Sequence, residues 1–152
     1  MGIALLFLFV GPMIYLALNQ NASEKKRRKK LSLLSQKNQA NLDETEFLSP
    51  VSLGLDKSSR KLLVIQQVKP QKELALDLKE IRSCKLQKLN AEKAPSENLD
   101  EVLEIQLLLK KASGAEESIH FYQDEHDSAA EKEDLLSAAN RWEHLVAASL
   151  KG

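Results

Sequence analysis

The chain has 152 residues, with 22 basic and 22 acidic side chains and a single cysteine. Zero net charge excludes a protein that wraps a nucleic-acid polyanion with its whole surface, and one cysteine excludes an intrachain disulfide scaffold, in keeping with a reducing compartment. The neutrality conceals an asymmetry: residues 1–30 carry a net +5, residues 31–90 a net +3 and residues 91–152 a net −8.

The chain begins with seventeen consecutive uncharged residues, Gly2 to Leu18, rich in Leu, Ile, Phe and Val. As a helix they reach roughly 26 Å, near the ~30 Å hydrocarbon thickness of a bilayer. Lys25, Lys26, Arg27, Arg28, Lys29 and Lys30 follow almost at once. A secretory signal would carry its positive charge before the apolar run and a small-x-small cleavage site after it, and neither is present. The sequence therefore predicts an uncleaved transmembrane anchor over residues 1–19, held in the bilayer through residues 2–18. The basic cluster on its C-terminal side places Met1 outside and everything beyond residue 25 in the cytoplasm. The six basic residues are read as an orienting, membrane-facing cluster. No aromatic-interleaved basic surface accompanies them, so nucleic acid is not an expected partner. Asn21-Ala22-Ser23 matches a glycosylation acceptor but lies on the wrong side of the membrane for one.

Residues 20–45 form a basic juxtamembrane segment and a polar stretch, either a linker or a helical continuation of the anchor. From residue 46 onward the pattern is of short runs between turn residues. Val51–Asp56 and Lys61–Val68 read as a hairpin around Lys57-Ser58-Ser59-Arg60. Pro70 ends the second strand, because proline supplies no ladder donor. Glu73–Leu78 alternates cleanly, and Lys79–Lys88 continues into a further strand. After a loop from Asn90 to Asp100, Glu101–Lys110 has an apolar face of Leu103, Ile105, Leu107 and Leu109. Ser118–Glu125 is the sixth strand, with Ile119 and Phe121 inward and His120, Tyr122 and Asp124 on a polar outer face.

The last segment, 128–151, is an amphipathic helix. Leu135, Ala138, Ala139, Trp142, Leu145, Val146, Ser149 and Leu150 recur at three- and four-residue spacing. Ser128 and Glu131 have the spacing of a capping box. Such a stripe must be buried, and the inner face of a curled sheet is its natural cover.

This order of antiparallel strands and one C-terminal helix resembles a pleckstrin-homology-like domain. Leu76-Asp77-Leu78-Lys79-Glu80-Ile81-Arg82-Ser83-Cys84-Lys85-Leu86 is similar to a strand pair of bacterial PH-like and GRAM-like domains. The resemblance covers residues 46–152 and implies an α+β fold, a partly open antiparallel barrel of five to seven strands capped by the helix. Six strands are visible where the fold has seven. It also implies a bacterial inner-membrane protein. Phosphoinositide-binding members place basic residues in the first hairpin loop, and the matching loop here offers Lys57, Arg60 and Lys61 as candidate ligand residues.

Catalytic signatures are absent from the sequence: no phosphate-binding glycine loop, nucleophile elbow or zincin pair occurs. His120, Asp124 and His126 are spread over about 20 Å of strand, so only Asp124 and His126 are near enough to share an ion, and the three are read as a polar solvent face. Cys84 sits in a strand-like run and is read as a small buried apolar residue. No catalytic residue, metal or cofactor is expected. The reading is a single-pass membrane protein that presents a small non-catalytic interaction domain to a protein partner. The alternative is a domain that senses a lipid headgroup or small ligand through the basic hairpin loop.

Overall fold

A computed structural model describes residues 23–67 and 71–151. The anchor expected over residues 2–18 lies outside them. Among the described residues no helix is long and apolar enough to cross a membrane.

Among the described residues the fold is α+β, with two antiparallel sheets and two α-helices. Helix α1 covers 23–37. Strands β1 (Glu44–Phe47), β2 (Val51–Asp56), β3 (Lys61–Gln66) and β4 (Lys72–Asp77) form a four-stranded meander in the order β1-β2-β3-β4. Strands β5 (Ile81–Leu89), β6 (Glu104–Lys111) and β7 (Glu116–Gln123) form a second meander, β5-β6-β7. Helix α2 (Lys132–Leu150) closes the chain.

The strands follow the alternation in the sequence. Val51, Leu53 and Leu55 of β2 and Leu62 and Val64 of β3 point into the main core, where Ile105, Leu107 and Leu109 of β6 meet them. The stripe of α2 fills the open side of this core, with Leu135, Ala138, Ala139, Trp142 and Val146 all buried. The other face of the first sheet is also apolar at Leu63 and Ile65, and α1 covers it with Leu31 and Leu34. Gly54 makes that approach close. A Cβ there would lie 2.6 Å from Leu42 Cδ1 and 3.4 Å from Leu31 Cδ2. The stretch 31–45 is thus helical to residue 37 and packed on the sheet, and β1 begins at Glu44.

β1 is the strand missing from the six expected. Its register sets Glu44 opposite Leu55 and Glu46 opposite Leu53, so its inward positions are glutamates while Thr45 and Phe47 face α1. Apolar periodicity searched for the reverse pattern. The face assigned to Tyr122 is corrected as well. Ile105 pairs with Tyr122 but Gln106 with His120, so Phe121 is an unmatched bulge residue. The extra residue turns Phe121 and Tyr122 both inward, and Tyr122 is fully buried. Finally, the Ser128 side chain does cap, accepting from the Ala130 N–H at 3.3 Å. It caps a short 3-10 turn at Ala129–Glu131, and α2 proper starts at Lys132 with no side-chain cap from Glu131.

Candidate functional site

Helix α2 lies between the outer edges of β1 and β5 and treats them differently. On the β5 side Glu143 accepts from the Leu86 N–H, which takes up one outward donor of that edge. On the β1 side the link is one residue. Glu46 accepts from Trp142 Nε1 at 2.6 Å and pairs with the Arg141 guanidinium. Beside this link an open trough of about 780 Å³ runs between β1 and α2. Trp142, Leu145 and Ala148 supply its apolar surface, and Glu44, Thr45, Asn140 and His144 its rim.

The backbone of β1 gives this trough a specific character. The Leu48 N–H bonds to the Val51 carbonyl at 2.9 Å, which fixes the hydrogen-bonded pairs of the hairpin. By alternation Glu44 and Glu46 turn their backbone groups to β2, while Thr45 and Phe47 turn theirs outward. Among the described residues no other backbone group takes up those outward donors and acceptors. The rim charges are already paired: Glu44 with Lys57 at 3.2 Å, and Glu46 with Arg141. What remains available is a short strand edge beside an apolar helix flank.

The structure places the sequence-predicted residues as follows. Lys25, Lys26, Arg27, Arg28, Lys29 and Lys30 lie on α1, and three of them are tied to the domain. Arg27 donates to the Leu48 carbonyl at 3.2 Å. Arg28 pairs with Glu24 at 2.7 Å and stands 4.7 Å from the centre of the Phe47 ring. Lys30 donates to Gln71 Oε1 at 3.3 Å.

Lys57, Arg60 and Lys61 do share the β2–β3 turn, but the two at its end point to helix C-termini. Arg60 donates to the carbonyls of Ser149 and Leu150 at 2.8 and 3.2 Å, capping α2. Lys61 donates to the Asn38 carbonyl at 2.8 Å, one residue past α1. Cations at helix C-termini complement the carbonyl ends of those helices. The turn is also the second hairpin loop, since β1 supplies the first, Ser49-Pro50, which has no basic residue.

The remaining chemistry-bearing groups are not gathered. Among the described residues no three of His, Cys, Asp and Glu surround a common point. The Asp124 carboxylate accepts from the Tyr122 hydroxyl at 3.0 Å, and burial together with that bond pushes the phenol up to about 12. His126 stands in the exposed turn after β7. Burial holds His120 below the ordinary imidazole value, and its Nδ1 is buried without a partner. Burial first, and then the nearby Glu143 charge, push the Cys84 thiol up to about 12, so it stays protonated at neutral pH.

The residues that sequence reasoning missed are Thr45, Glu46 and the trough-lining half of the α2 stripe. Their signal was present as alternation of Glu44 and Glu46 with the strand formers Thr45 and Phe47, in the polarity opposite to that of a core strand. No protein-family model, no curated protein and no solved structure matches this chain.

Proposed function

We propose that this protein is a membrane-tethered, non-catalytic interaction module whose trough between β1 and α2 takes an extended segment of a partner protein by strand addition. The observation that carries the reading is the pairing of an unused β1 edge, at Thr45 and Phe47, with an apolar flank at Trp142, Leu145 and Ala148. Outward amides give a partner strand its hydrogen bonds, and alternate side chains of that strand reach the helix flank. An open trough suits a strand better than an enclosed small molecule. Because Glu44 and Glu46 are paired within the domain, the fitting segment is neutral, with apolar residues at every second position.

The tether in this reading is the apolar segment 2–18, with the domain on the cytoplasmic side of a bacterial inner membrane. The domain itself is read as pleckstrin-homology-like, supported by its division into four and three antiparallel strands with a C-terminal helix. Headgroup sensing through Lys57, Arg60 and Lys61 has less support, because Arg60 and Lys61 are bound to helix carbonyls.

The test is a photo-crosslinker at Ala148 of the full chain in its native membrane, with and without Thr45→Pro. The Thr45 N–H points away from β2, so proline removes a donor for an added strand without removing a β1–β2 bond. One protein adduct, mapped to a single extended segment and lost in Thr45→Pro, is the expected result. An adduct indifferent to the proline, or adducts only to lipid, would overturn strand addition.

A further inference from the structure

The polar end of α1 forms a second concavity, unrelated to the trough. Ser23, Lys26, Arg27 and Lys30 recur at helical spacing and share one face. Ser49 of the β1–β2 turn and Gln67 after β3 close the other side, leaving a cup of about 370 Å³. We propose that this cup binds the phosphate group of an anionic phospholipid, such as phosphatidylglycerol, at the membrane surface.

Three observations support it. Among the described residues the lining contains three cationic side chains, two hydroxyls and no carboxylate. Arg28, which does not line it, is the member of the basic run that pairs with a carboxylate, Glu24. Among the described residues Lys26, Arg27 and Lys30 have no such partner, which leaves three positive charges facing one volume. The wall is also built rather than loose. Arg27 is held by the Leu48 carbonyl, and Lys30, Gln71, Gln67 and Ser52 form a hydrogen-bonded chain at 3.2–3.3 Å. Cationic donors gathered on one wall, with Arg27 and Lys30 tied to the domain by these bonds, suit an oxyanion.

The source of the phosphate follows from the sequence. Four residues separate Leu18, the end of the apolar segment, from Ser23. If that segment spans a bilayer, the cup stands at headgroup level, where each Lys or Arg strengthens binding to anionic lipid. The proposal rests on the tether reading to that extent, but not on the trough.

The experiment uses the full chain in nanodiscs of phosphatidylcholine with phosphatidylglycerol. The phosphatidylglycerol retained per chain after extraction is read by native mass spectrometry. Lys26→Gln with Lys30→Gln is compared with Lys25→Gln with Lys29→Gln, which removes equal charge from the same helix outside the cup. The cup pair is expected to reduce retention about tenfold or more, and the control pair about twofold or less. Equal losses would reduce the effect to general basic attraction and overturn the site. Displacement of the lipid by inorganic phosphate would show that free phosphate is the ligand and overturn the lipid assignment. A chain that inserts but retains no phosphatidylglycerol removes this proposal alone, whereas a chain that never inserts removes the tether as well.

Discussion

Asp56 is a charged residue at 2% exposure, and its environment accounts for it. Its carboxylate accepts from the Asn41 N–H at 2.8 Å, the Ser58 N–H and hydroxyl at 3.1 and 2.9 Å, and the Ser59 N–H at 3.2 Å. The interactions with Ser59 and then the Asn41 amide hold its carboxyl well below the usual carboxylate range, outweighing the burial that raises it. The folded value is lower than the unfolded one, so its stabilisation is complete above the unfolded value of about 3.9 and is lost as pH falls toward the folded value. Thermal melts of Asp56→Asn and of the native chain should therefore differ by a constant amount from pH 7 to about pH 5 and draw together progressively from about pH 4 to pH 2. At neutral pH the variant should be less stable by about 2 kcal/mol, and a difference unchanged with pH would refute this account. Little of this was legible beforehand. Asp56 read as the polar end of a strand, and only the fold of the 38–43 segment brings the Asn41 amide onto it.

At the scale of elements, β2, β6 and α2 were legible because a single apolar face repeats through each, and β3 because its short apolar run contains β-branched residues. β1 and the packing of α1 were not, and both for one reason: they depend on the opposite face of the first sheet. Leu63 and Ile65 make that face apolar, but their run Leu62–Ile65 is continuously hydrophobic and does not show which side is covered. Leu31, Leu34 and Leu42 looked sparse as a linker, yet they match the two-residue width of the patch. Gly54 is the test of that contact. A valine there must displace Leu42 and Leu31, and overpacking of this kind costs about 1–3 kcal/mol. Gly54→Val should lower the melting temperature and raise hydrogen exchange across 23–37 while leaving α2 protected. Unchanged exchange in 23–37 would mean that the close approach does not hold α1 in place. The candidate site suffered the same blindness. Trp142 and Leu145 were visible as a stripe, but a trough needs its second wall, and that wall was the strand whose glutamates hid it.

For the molecule as a whole, stability is distributed unevenly. The main core joins both sheets and α2, whereas α1 is held by a small satellite cluster, and β1 by its ladder to β2, by Phe47 in that cluster and by side-chain links such as Glu46 to Trp142. Local opening follows the number of buried apolar contacts. Native-state hydrogen exchange should therefore give a lower opening free energy for α1 and β1, as one unit, than for β2, β3 and β6. Equal protection throughout would show that the outer layer belongs to the same cooperative unit. The arrangement also links the C-terminal ends of the two α-helices through the sheet. The β2–β3 turn reaches the C-terminus of α2 through Arg60 and the end of α1 through Lys61, so both helices are referenced to one corner of the sheet.

The position of β1 has a mechanical consequence. It follows α1 directly in the chain, forms an outer edge of its sheet and supplies one wall of the trough. A pulling force applied at the N-terminal end would peel α1 from the sheet first and then unzip β1 from β2, one pair of bonds at a time. The rest of the domain would still be intact when β1 came away. Load applied from that end would therefore open the trough before it unfolded the rest of the domain, and re-pairing of β1 with β2 would restore it when the tension fell.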